Sequence, residues 1–436
     1  MQPVSGHVYR YEGPRGAVWR AKYRLPDGRQ VHRTIGPAWA GRGRPRGGYF
    51  TKRTAADWLR EVLGQARAGV LPGMVRSGVT MADAAGEYLR WLEVDRQRKP
   101  STLQDYRSVI RAHLLPAFGE SAVEDLTADQ IHQIGLQQVA RIHGEMERIK
   151  QRVGFTGTLR EFFDHINGGQ QFKYANTEEG RQQYLADARR FVAQVMEAAP
   201  RYFRRLPRAP LEVRAVETWR QETAAVAFYN SPSADGSRPG IYYVNLADMN
   251  QVLRPQTEAI SYHEGAPGHH FQIALAQELP NVPKFRRFGG YGAYSEGWGL
   301  YSEQLGQEMG FYQDPYSLFG MHSTALWRAI RLVVDTGIHS QRWTRERAIQ
   351  YFRENGLLSV RDATKEVERY FNNPGQATSY MIGQLKILEL RDRARQALGS
   401  RFDIRDFHAV VLENGAVPLD ILEELVDAWI ARERRG

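Results

Sequence analysis

The sequence predicts a multidomain chain: a small basic three-stranded sheet plus helix, then a short helical domain, then a mostly α-helical portion with minor strand. Three observations predict this organisation. Residues 1–76 hold 15 Lys and Arg against 4 Asp and Glu, a net charge of +11, whereas the whole chain carries +10. Alternating segments around an Asp-Gly pair indicate a hairpin near the N-terminus. Apolar residues with a helical period occupy most of the sequence after residue 128.

The composition limits the classes of protein and of site. A length of 436 residues is enough for two or three domains, and 42% hydrophobic residues is ordinary for a globular protein. There is no cysteine, which excludes disulfides and thiolate metal ligands and leaves histidines and carboxylates. No apolar run is long enough to predict a membrane span, and the polar N-terminus predicts no signal peptide. We therefore expect no membrane partner and a cytoplasmic location.

Residues 1–72 predict the basic module. Strands are expected at 7–11, 17–25 and 30–35, and a helix at 54–68. Concentrated positive charge favours a polyanion partner, most often nucleic acid, although a solvated basic surface is the alternative. A sheet covered by one helix can present its other face to a DNA groove. The side chains expected to contact nucleic acid are Arg20, Lys22, Arg24 and Arg33.

Residues 78–130 predict the short helical domain, with helices at 80–91 and 101–115. Together with the basic module, this segment resembles the arm-binding and core-binding domains of phage-type tyrosine recombinases (integrases). The resemblance implies a duplex DNA partner for residues 1–130. The catalytic domain of that family, with its Arg, Lys, His and nucleophilic Tyr, is not found, so we do not expect a competent recombinase. The motif residues are Lys99-Pro100-Ser101-Thr102, Tyr106, Ile110, Leu114-Leu115-Pro116-Ala117-Phe118-Gly119, Leu126-Thr127 and Ile131.

Residues 131–436 predict a third, mainly helical domain. One strand is expected within 236–246, after a Gly-Ser-Arg-Pro-Gly turn. The helical pattern is strong in eight segments, which are 131–152, 178–199, 257–277, 295–309, 323–340, 344–355, 359–370 and 377–397.

A cluster of histidines in the segment 257–277 predicts a metal site. In a His-Glu-x-x-His helix the two histidines are one turn apart on one face, but here Pro267 stands four residues after His263. The next candidates are His269 and His270. On a regular helix the former points away and the latter is about 10.5 Å further along the axis. Pro267-Gly268 could distort the helix, and we favour His269 as the ligand with His270 as its alternate.

Carboxylates complete the predicted zinc site. Glu296 is the expected third ligand, and Glu303, two turns later on the same face, is expected to support a ligating histidine. Zinc lowers the pKa of bound water to about 7, and Glu264 is placed to act as general base. The residue pattern therefore predicts zinc as cofactor and metal-assisted hydrolysis, with a peptide or a small amide as substrate.

Residues from about 131 to 430 resemble the C-terminal part of the bacterial family catalogued as domain of unknown function 885. This family is gluzincin-like, and the resemblance implies zinc-dependent hydrolase activity. The resemblance implies a zincin-like domain. The matching blocks, in chain order, are 131–135 with 139–142, 236–240 with 243–245, 263–270, 295–298, 331–339, and 374–377 with Ser379-Tyr380 and Gly383.

The later blocks supply further candidates. His339 and Tyr380 are candidate donors to a developing oxyanion, with Tyr380 favoured by the gluzincin analogy. Arg331 is a candidate for holding a substrate carboxylate, and Asp335 for orienting a histidine. Each has a structural alternative: a buried hydrogen-bonded side chain, or an Arg331–Asp335 ion pair one helical turn apart.

Members of this family usually carry a long N-terminal half before the block near Ile131. Here the integrase-like module stands in that place, which suggests a gene fusion. We expect a zinc metallohydrolase, metallopeptidase-like, with an N-terminal DNA-binding module. The alternative is a DNA-binding fusion protein whose hydrolase half is truncated and inactive.

Overall fold

The computed structural model describes residues 5–13, 16–24, 30–41, 45, 48–67 and 128–435. The chain divides into two compact units, residues 1–127 and 128–436. The predicted helices at 80–91 and 101–115, and with them almost all of the core-binding-like domain, lie outside the described residues.

The first unit contains the predicted three-stranded sheet and its helix. The strands are antiparallel in the order β1-β2-β3. Ala21 and Tyr23 on the central strand are buried against Leu59 and Val62 of the helix. Because side chains alternate along a strand, the residues between them lie on the other face. The bounds are β1 Ser5–Gly13, β2 Gly16–Arg24, β3 Gln30–Pro37 and α1 Lys52–Arg67.

The second unit is mostly helical, as predicted. Its longest helices, α2 and α9, pack along each other, and a second core surrounds α4, α5 and α8. The helices are α2 Ala128–Arg152, α3 Leu159–Gly168, α4 Glu178–Ala198, α5 Thr257–Glu264, α6 His269–Gln277, α7 Lys284–Phe288, α8 Gly292–Glu308, α9 Pro315–His339, α10 Arg345–Asn355, α11 Val360–Asn372, α12 Ser379–Leu398, α13 Ile404–Leu412 and α14 Leu419–Arg435.

A small mixed sheet lies in the second unit, where the sequence predicted one strand. β6 (Gly240–Val244) is central, β4 (Leu211–Ala215) pairs with it in parallel, and β5 (Ala227–Asn230) pairs antiparallel. β4 and β5 have five and four residues, too few for an alternating pattern to stand out. β6 is buried along its whole length, which matches its apolar sequence.

The predicted helix at 257–277 is two helices, α5 and α6, separated by residues 265–268. Gly268 is required at this break, because a Cβ atom there would lie 2.0 Å from the carbonyl oxygen of His263. Trp298 fixes the turn from outside, since its Nε1 donates to the carbonyl of Pro267 at 2.9 Å. The break turns His269 back toward the end of α5.

Two glycines bring α8 and α12 close together. A Cβ atom on Gly297 would lie 2.5 Å from the Cα of Gly383, so the two helix backbones are nearly in contact. This approach places Glu296 of α8 and Tyr380 of α12 in the same region. Among the described residues, no helix is long and apolar enough to cross a membrane.

Candidate metal centre

Three side chains from three helices converge on one point. His263 lies in the last turn of α5, His269 begins α6, and Glu296 lies in α8. Oε2 of Glu296 is 3.4 Å from Nε2 of His263 and 3.5 Å from Nε2 of His269. In the part of the chain that the structure describes, this is the one group of potential ligands whose donor atoms all lie within 4.8 Å of one another. Two imidazoles and one carboxylate are a donor set that suits zinc and leaves a fourth position open.

Glu303 supports the first ligand. Its Oε1 is 2.8 Å from Nδ1 of His263, so that ring nitrogen is engaged and Nε2 faces the cluster. Thr324 donates to the other carboxylate oxygen, and Nη2 of Arg328 lies 3.8 Å from Oε1. A carboxylate behind a ligating histidine fixes the orientation of its ring, which is the role predicted for Glu303. By contrast, Nδ1 of His269 is buried and has no hydrogen-bond partner among the described residues.

The charges of the cluster favour a cation. Burial opposes the charged imidazole of His263, but its hydrogen bonds with Glu296 and Glu303 raise its pKa to about 10. Burial likewise opposes the Glu296 carboxylate, yet the two histidines hold its pKa well below the ordinary value. The two buried carboxylates thus favour positive charge between the rings, which either a proton or a divalent metal ion would supply.

Glu264 differs from the other two carboxylates. Burial raises the pKa of its carboxyl above the ordinary value, while the imidazoles of His263 and His269 act in the opposite direction. It follows the first ligand directly and is half-buried. A carboxylate with a raised pKa beside a candidate metal site is suited to accept and return a proton near neutral pH.

Gly299 was not predicted and lies against the first ligand. A Cβ atom at this position would be 2.7 Å from both Cε1 and Nε2 of His263. Gly299 is three residues after Glu296 on α8, so it opens the face of the helix that the metal cluster uses. A glycine inside a helix costs about 1 kcal/mol, and Gly-Trp-Gly within a helical pattern was the signal available in the sequence.

We expect Gly299→Ala to weaken zinc binding about tenfold or more, because the added methyl group would displace the imidazole of His263, and lost support of a ligand costs this much. Zinc affinity is measured by competition with a chromophoric chelator, alongside circular dichroism. Gly144→Ala is the matched control, since an added Cβ there meets nothing within 4 Å. Equal zinc affinity in both variants would contradict the proposed position of His263.

Tyr380, a predicted oxyanion donor, lies beside the cluster. Its ring is stacked on His263 at a centroid distance of 6.2 Å and an interplanar angle of 22°. The guanidinium groups of Arg331 and Arg328 lie 4.5 and 5.7 Å from the centroid of the tyrosine ring. The phenol ring is therefore held between an imidazole and two cations. Arg328 was not predicted; its spacing of three residues from Arg331 on one helix was the available signal.

His270, the alternate to His269, does not belong to the group of candidate metal ligands. Its Nδ1 is 2.9 Å from the hydroxyl of Tyr229, and its Nε2 is 3.1 Å from the carbonyl oxygen of Ala209. Burial lowers its pKa to about 4. Successive helical residues point about 100° apart, so the break that brings His269 to the cluster turns His270 toward the small sheet.

His339 is another candidate that the structure places elsewhere. It is exposed at the C-terminal end of α9, with Nε2 3.0 Å from the carbonyl oxygen of Tyr370 and its ring beside Phe371. No contact with the metal cluster is found for it among the described residues. A role as oxyanion donor is therefore not supported for His339.

Arg331 and Asp335 also have other partners than those predicted. Arg331 forms a buried ion pair with Glu366 of α11, through Nη2 at 2.9 Å and Nε at 3.0 Å. Both carboxylate oxygens of Asp335 accept from the backbone N–H of Gly375 at 3.1 Å. Arg331 therefore pairs with Glu366 rather than with Asp335, while its Nη1 has no hydrogen-bond partner among the described residues. Asp335 holds a turn through the backbone of Gly375.

The basic side chains of the N-terminal sheet do not share one face. Arg20, Lys22 and Arg24 alternate with the buried residues of β2 and lie on the face opposite α1. Arg33 is paired across the strands with buried Ala21, so it lies on the face that α1 covers, 5.9 Å from the ring of Trp58. Arg33 is exposed, but it lies on a different face of the sheet from the other three side chains. DNA binding by all four stays a prediction.

The family model described as "Bacterial protein of unknown function (DUF885)" matches residues 57–426. The match includes the C-terminal part for which the resemblance was predicted, but it begins at residue 57 rather than near Ile131. It therefore includes residues that were compared with integrases. A search of curated proteins found no match.

Two solved structures are similar to the chain. One is described as the putative lipoprotein from Colwellia psychrerythraea, with 37% sequence identity and a TM-score of 0.70 over 88% of this chain. The chain spans 64% of that protein. The other is described as a putative lipoprotein of unknown function from Shewanella oneidensis; it is 21% identical, with a TM-score of 0.59, over 80% of this chain and 67% of its own, and so shows the fold alone.

Both similar structures are described as "putative lipoprotein", and lipoproteins are a class of protein that is anchored to a membrane or exported. This finding contradicts the cytoplasmic location expected from the sequence. That expectation was based on the polar character of residues 1–13 of this sequence alone. The correction comes from the descriptions of the similar structures.

Proposed function

We propose that the chain, which belongs to the bacterial family of unknown function DUF885 whose model matches residues 57–426, is a zinc-dependent hydrolase of peptide or small amide bonds with a zincin-like catalytic domain. One observation carries the proposal: the donor atoms of His263, His269 and Glu296 lie within 4.8 Å of one another. Glu264, with its raised pKa, follows the first ligand.

Different residues of the protein are assigned the roles of metal ligand, proton acceptor and hydrogen-bond donor. His263, His269 and Glu296 would hold zinc, and Glu303 keeps Nε2 of His263 directed at it through the 2.8 Å contact with Nδ1. When bound, zinc acts as a Lewis acid and lowers the pKa of a water molecule to about 7. Glu264 accepts the proton of the attacking water and returns it to the leaving amine. Tyr380, stacked on His263, donates a hydrogen bond to the negative oxygen that develops.

The helical break supports the zincin-like assignment despite the unusual spacing. A single helix with His-Glu-x-x-His presents both ligands one turn apart. Here the second candidate ligand follows six residues after the first. The break at residues 265–268 changes the direction of the chain, so that the imidazole rings of His263 and His269 lie at a centroid distance of 4.8 Å. The proposal therefore assigns to this chain two histidine ligands and an adjacent glutamate, as in a zincin, reached by a different local path of the backbone.

We expect the purified protein to bind about one zinc per chain and to hydrolyse members of an internally quenched peptide library. Removal of zinc with a chelator is expected to abolish hydrolysis, and one equivalent of zinc to restore it. Metal content is measured by elemental analysis and turnover by fluorescence. His263→Ala is the control for a lost ligand. Full activity in the chelated protein, or no activity in the zinc-loaded protein across the library, would refute the proposed function.

A further inference from the structure

A cavity of about 580 Å³ lies apart from the metal cluster. It is bounded by the first turn of α5, by α4 and by residues 311–317, and it shares no lining residue with the three ligands. Sites for small organic molecules typically have volumes of about 300–1,000 Å³. The size of this cavity therefore fits a small molecule.

Aromatic rings form part of the walls of the cavity, among polar side chains. The rings approach it from α4, from the segment before α4, from the connection between α8 and α9, and from the first turn of α9. Such walls bind flat or aliphatic bodies by burial and dispersion. The aromatic residues used in this argument are Phe172, Tyr174, Phe191, Phe311 and Tyr316.

The three carboxylates at the cavity each accept hydrogen bonds from the protein. Asp314 accepts from the backbone N–H of Tyr316 at 3.0 Å. Glu258 accepts from the hydroxyl of Tyr262 at 2.8 Å, from the backbone N–H of Tyr312 at 3.0 Å and from Ser317 at 2.5 Å. Asp187 accepts from Tyr174 and Arg190. These acids are therefore not available to hold a cationic ligand.

Arg254 is the cation at the cavity without a carboxylate partner. Its guanidinium lies 4.6 Å from the ring centroid of Tyr174. Among the described residues, its side chain makes no ion pair and no hydrogen bond. The neighbouring cation, Arg190, is paired with Asp187 at 3.1 Å. One free guanidinium beside an aromatic wall complements one negative charge attached to an apolar body.

We infer that this cavity binds a small organic monocarboxylate, with its carboxylate on Arg254 and its aromatic or aliphatic body against the rings. The inference is independent of the proposed hydrolase activity, because none of the residues that carry it holds the metal or faces the proposed substrate. A guanidinium binds a carboxylate through two parallel hydrogen bonds, which an amide of the same shape cannot reproduce.

The test is a set of calorimetric titrations of the purified full-length chain. The ligands are phenylacetate, 3-phenylpropionate, indole-3-acetate and octanoate, each compared with its neutral amide. We expect at least one acid to bind with one-to-one stoichiometry, and its amide to bind at least tenfold more weakly. Arg254→Gln is expected to lower the affinity for that acid at least tenfold, and Arg254→Lys, which keeps the charge, to lower it less.

Arg345→Gln is the matched control, because Arg345 pairs with Glu368 on the surface and does not line the cavity. It is expected to leave acid binding unchanged. Three results would overturn the inference: no acid binds, an acid and its amide bind equally, or Arg254→Gln leaves the affinity for the acid unchanged. The last result would mean that the acid binds elsewhere, for example at the metal. Titration measures binding directly and does not depend on hydrolysis. Carboxylate binding at the cavity can therefore be refuted while the proposed hydrolase activity stands, and the hydrolase activity can be refuted while carboxylate binding stands.

Discussion

Replacing Glu264 with Gln is expected to lower kcat for amide hydrolysis by about 10²–10⁴-fold, the usual contribution of a general base, while bound zinc stays near one per chain. The substituted amide has the size of the carboxylate but accepts no proton at neutral pH. The three ligands are untouched by the change, because Glu264 is not one of the donor groups that converge. The measurement is steady-state turnover together with metal content of the same preparation.

Glu296→Gln is the informative comparison, since it makes the same chemical change at a ligand. We expect it to lose both zinc and turnover, whereas Glu264→Gln loses turnover alone. Glu389→Gln, on the surface of α12, is expected to change neither. Turnover of Glu264→Gln within twofold of the unsubstituted protein would show that another group activates the water.

The ligand cluster was largely predictable from the sequence because the residues were close along the chain. His263, His269 and the intervening Pro267-Gly268 lie within one segment, and the steric requirement for a break follows from proline and glycine chemistry. Glu296 and Glu303 were predictable as a pair because two helical turns separate them on one face. What remained open was the direction in which the break would turn the chain, and therefore the choice between His269 and His270.

The partners of the arginines on α9 were not predictable, because they come from another helix. The sequence offered a substrate carboxylate as the partner of Arg331, with Asp335, one turn away, as the alternative, whereas the fold brings Glu366 of α11 to 2.9 Å. Periodicity identifies the face that a residue occupies but not the element that packs on it. The same limit applies to Gly299, whose importance depends on the ring that contacts it.

The largest expected loss of stability follows from the buried ion pair behind Tyr380. Arg331→Met is expected to lower the free energy of unfolding by up to about 3–5 kcal/mol, because it removes the closer and more buried of the two cations at the Glu366 carboxylate. The side chains of Arg331 and Glu366 are only 3% and 13% exposed. Glu366 would retain an ion pair with the more exposed Arg369 at 3.3 Å, and hydrogen bonds from Tyr370 at 2.6 Å and Trp327 at 3.2 Å. The measurement is urea unfolding followed by circular dichroism.

A double replacement, Arg331→Met with Glu366→Met, separates the effect of a stranded charge from that of lost packing. We expect it to be more stable than Arg331→Met alone, because apolar groups of similar volume need no counter-ion. Arg345→Met removes one partner of an exposed pair, with side chains 43% and 53% exposed, and is expected to cost at most about 1 kcal/mol. If Arg331→Met costs no more than Arg345→Met, then Glu366 is neutral in the folded protein, is reached by water, or has its charge balanced by Arg369 alone. Arg331 would then not be the fixed support of the Tyr380 ring that the 4.5 Å approach indicates.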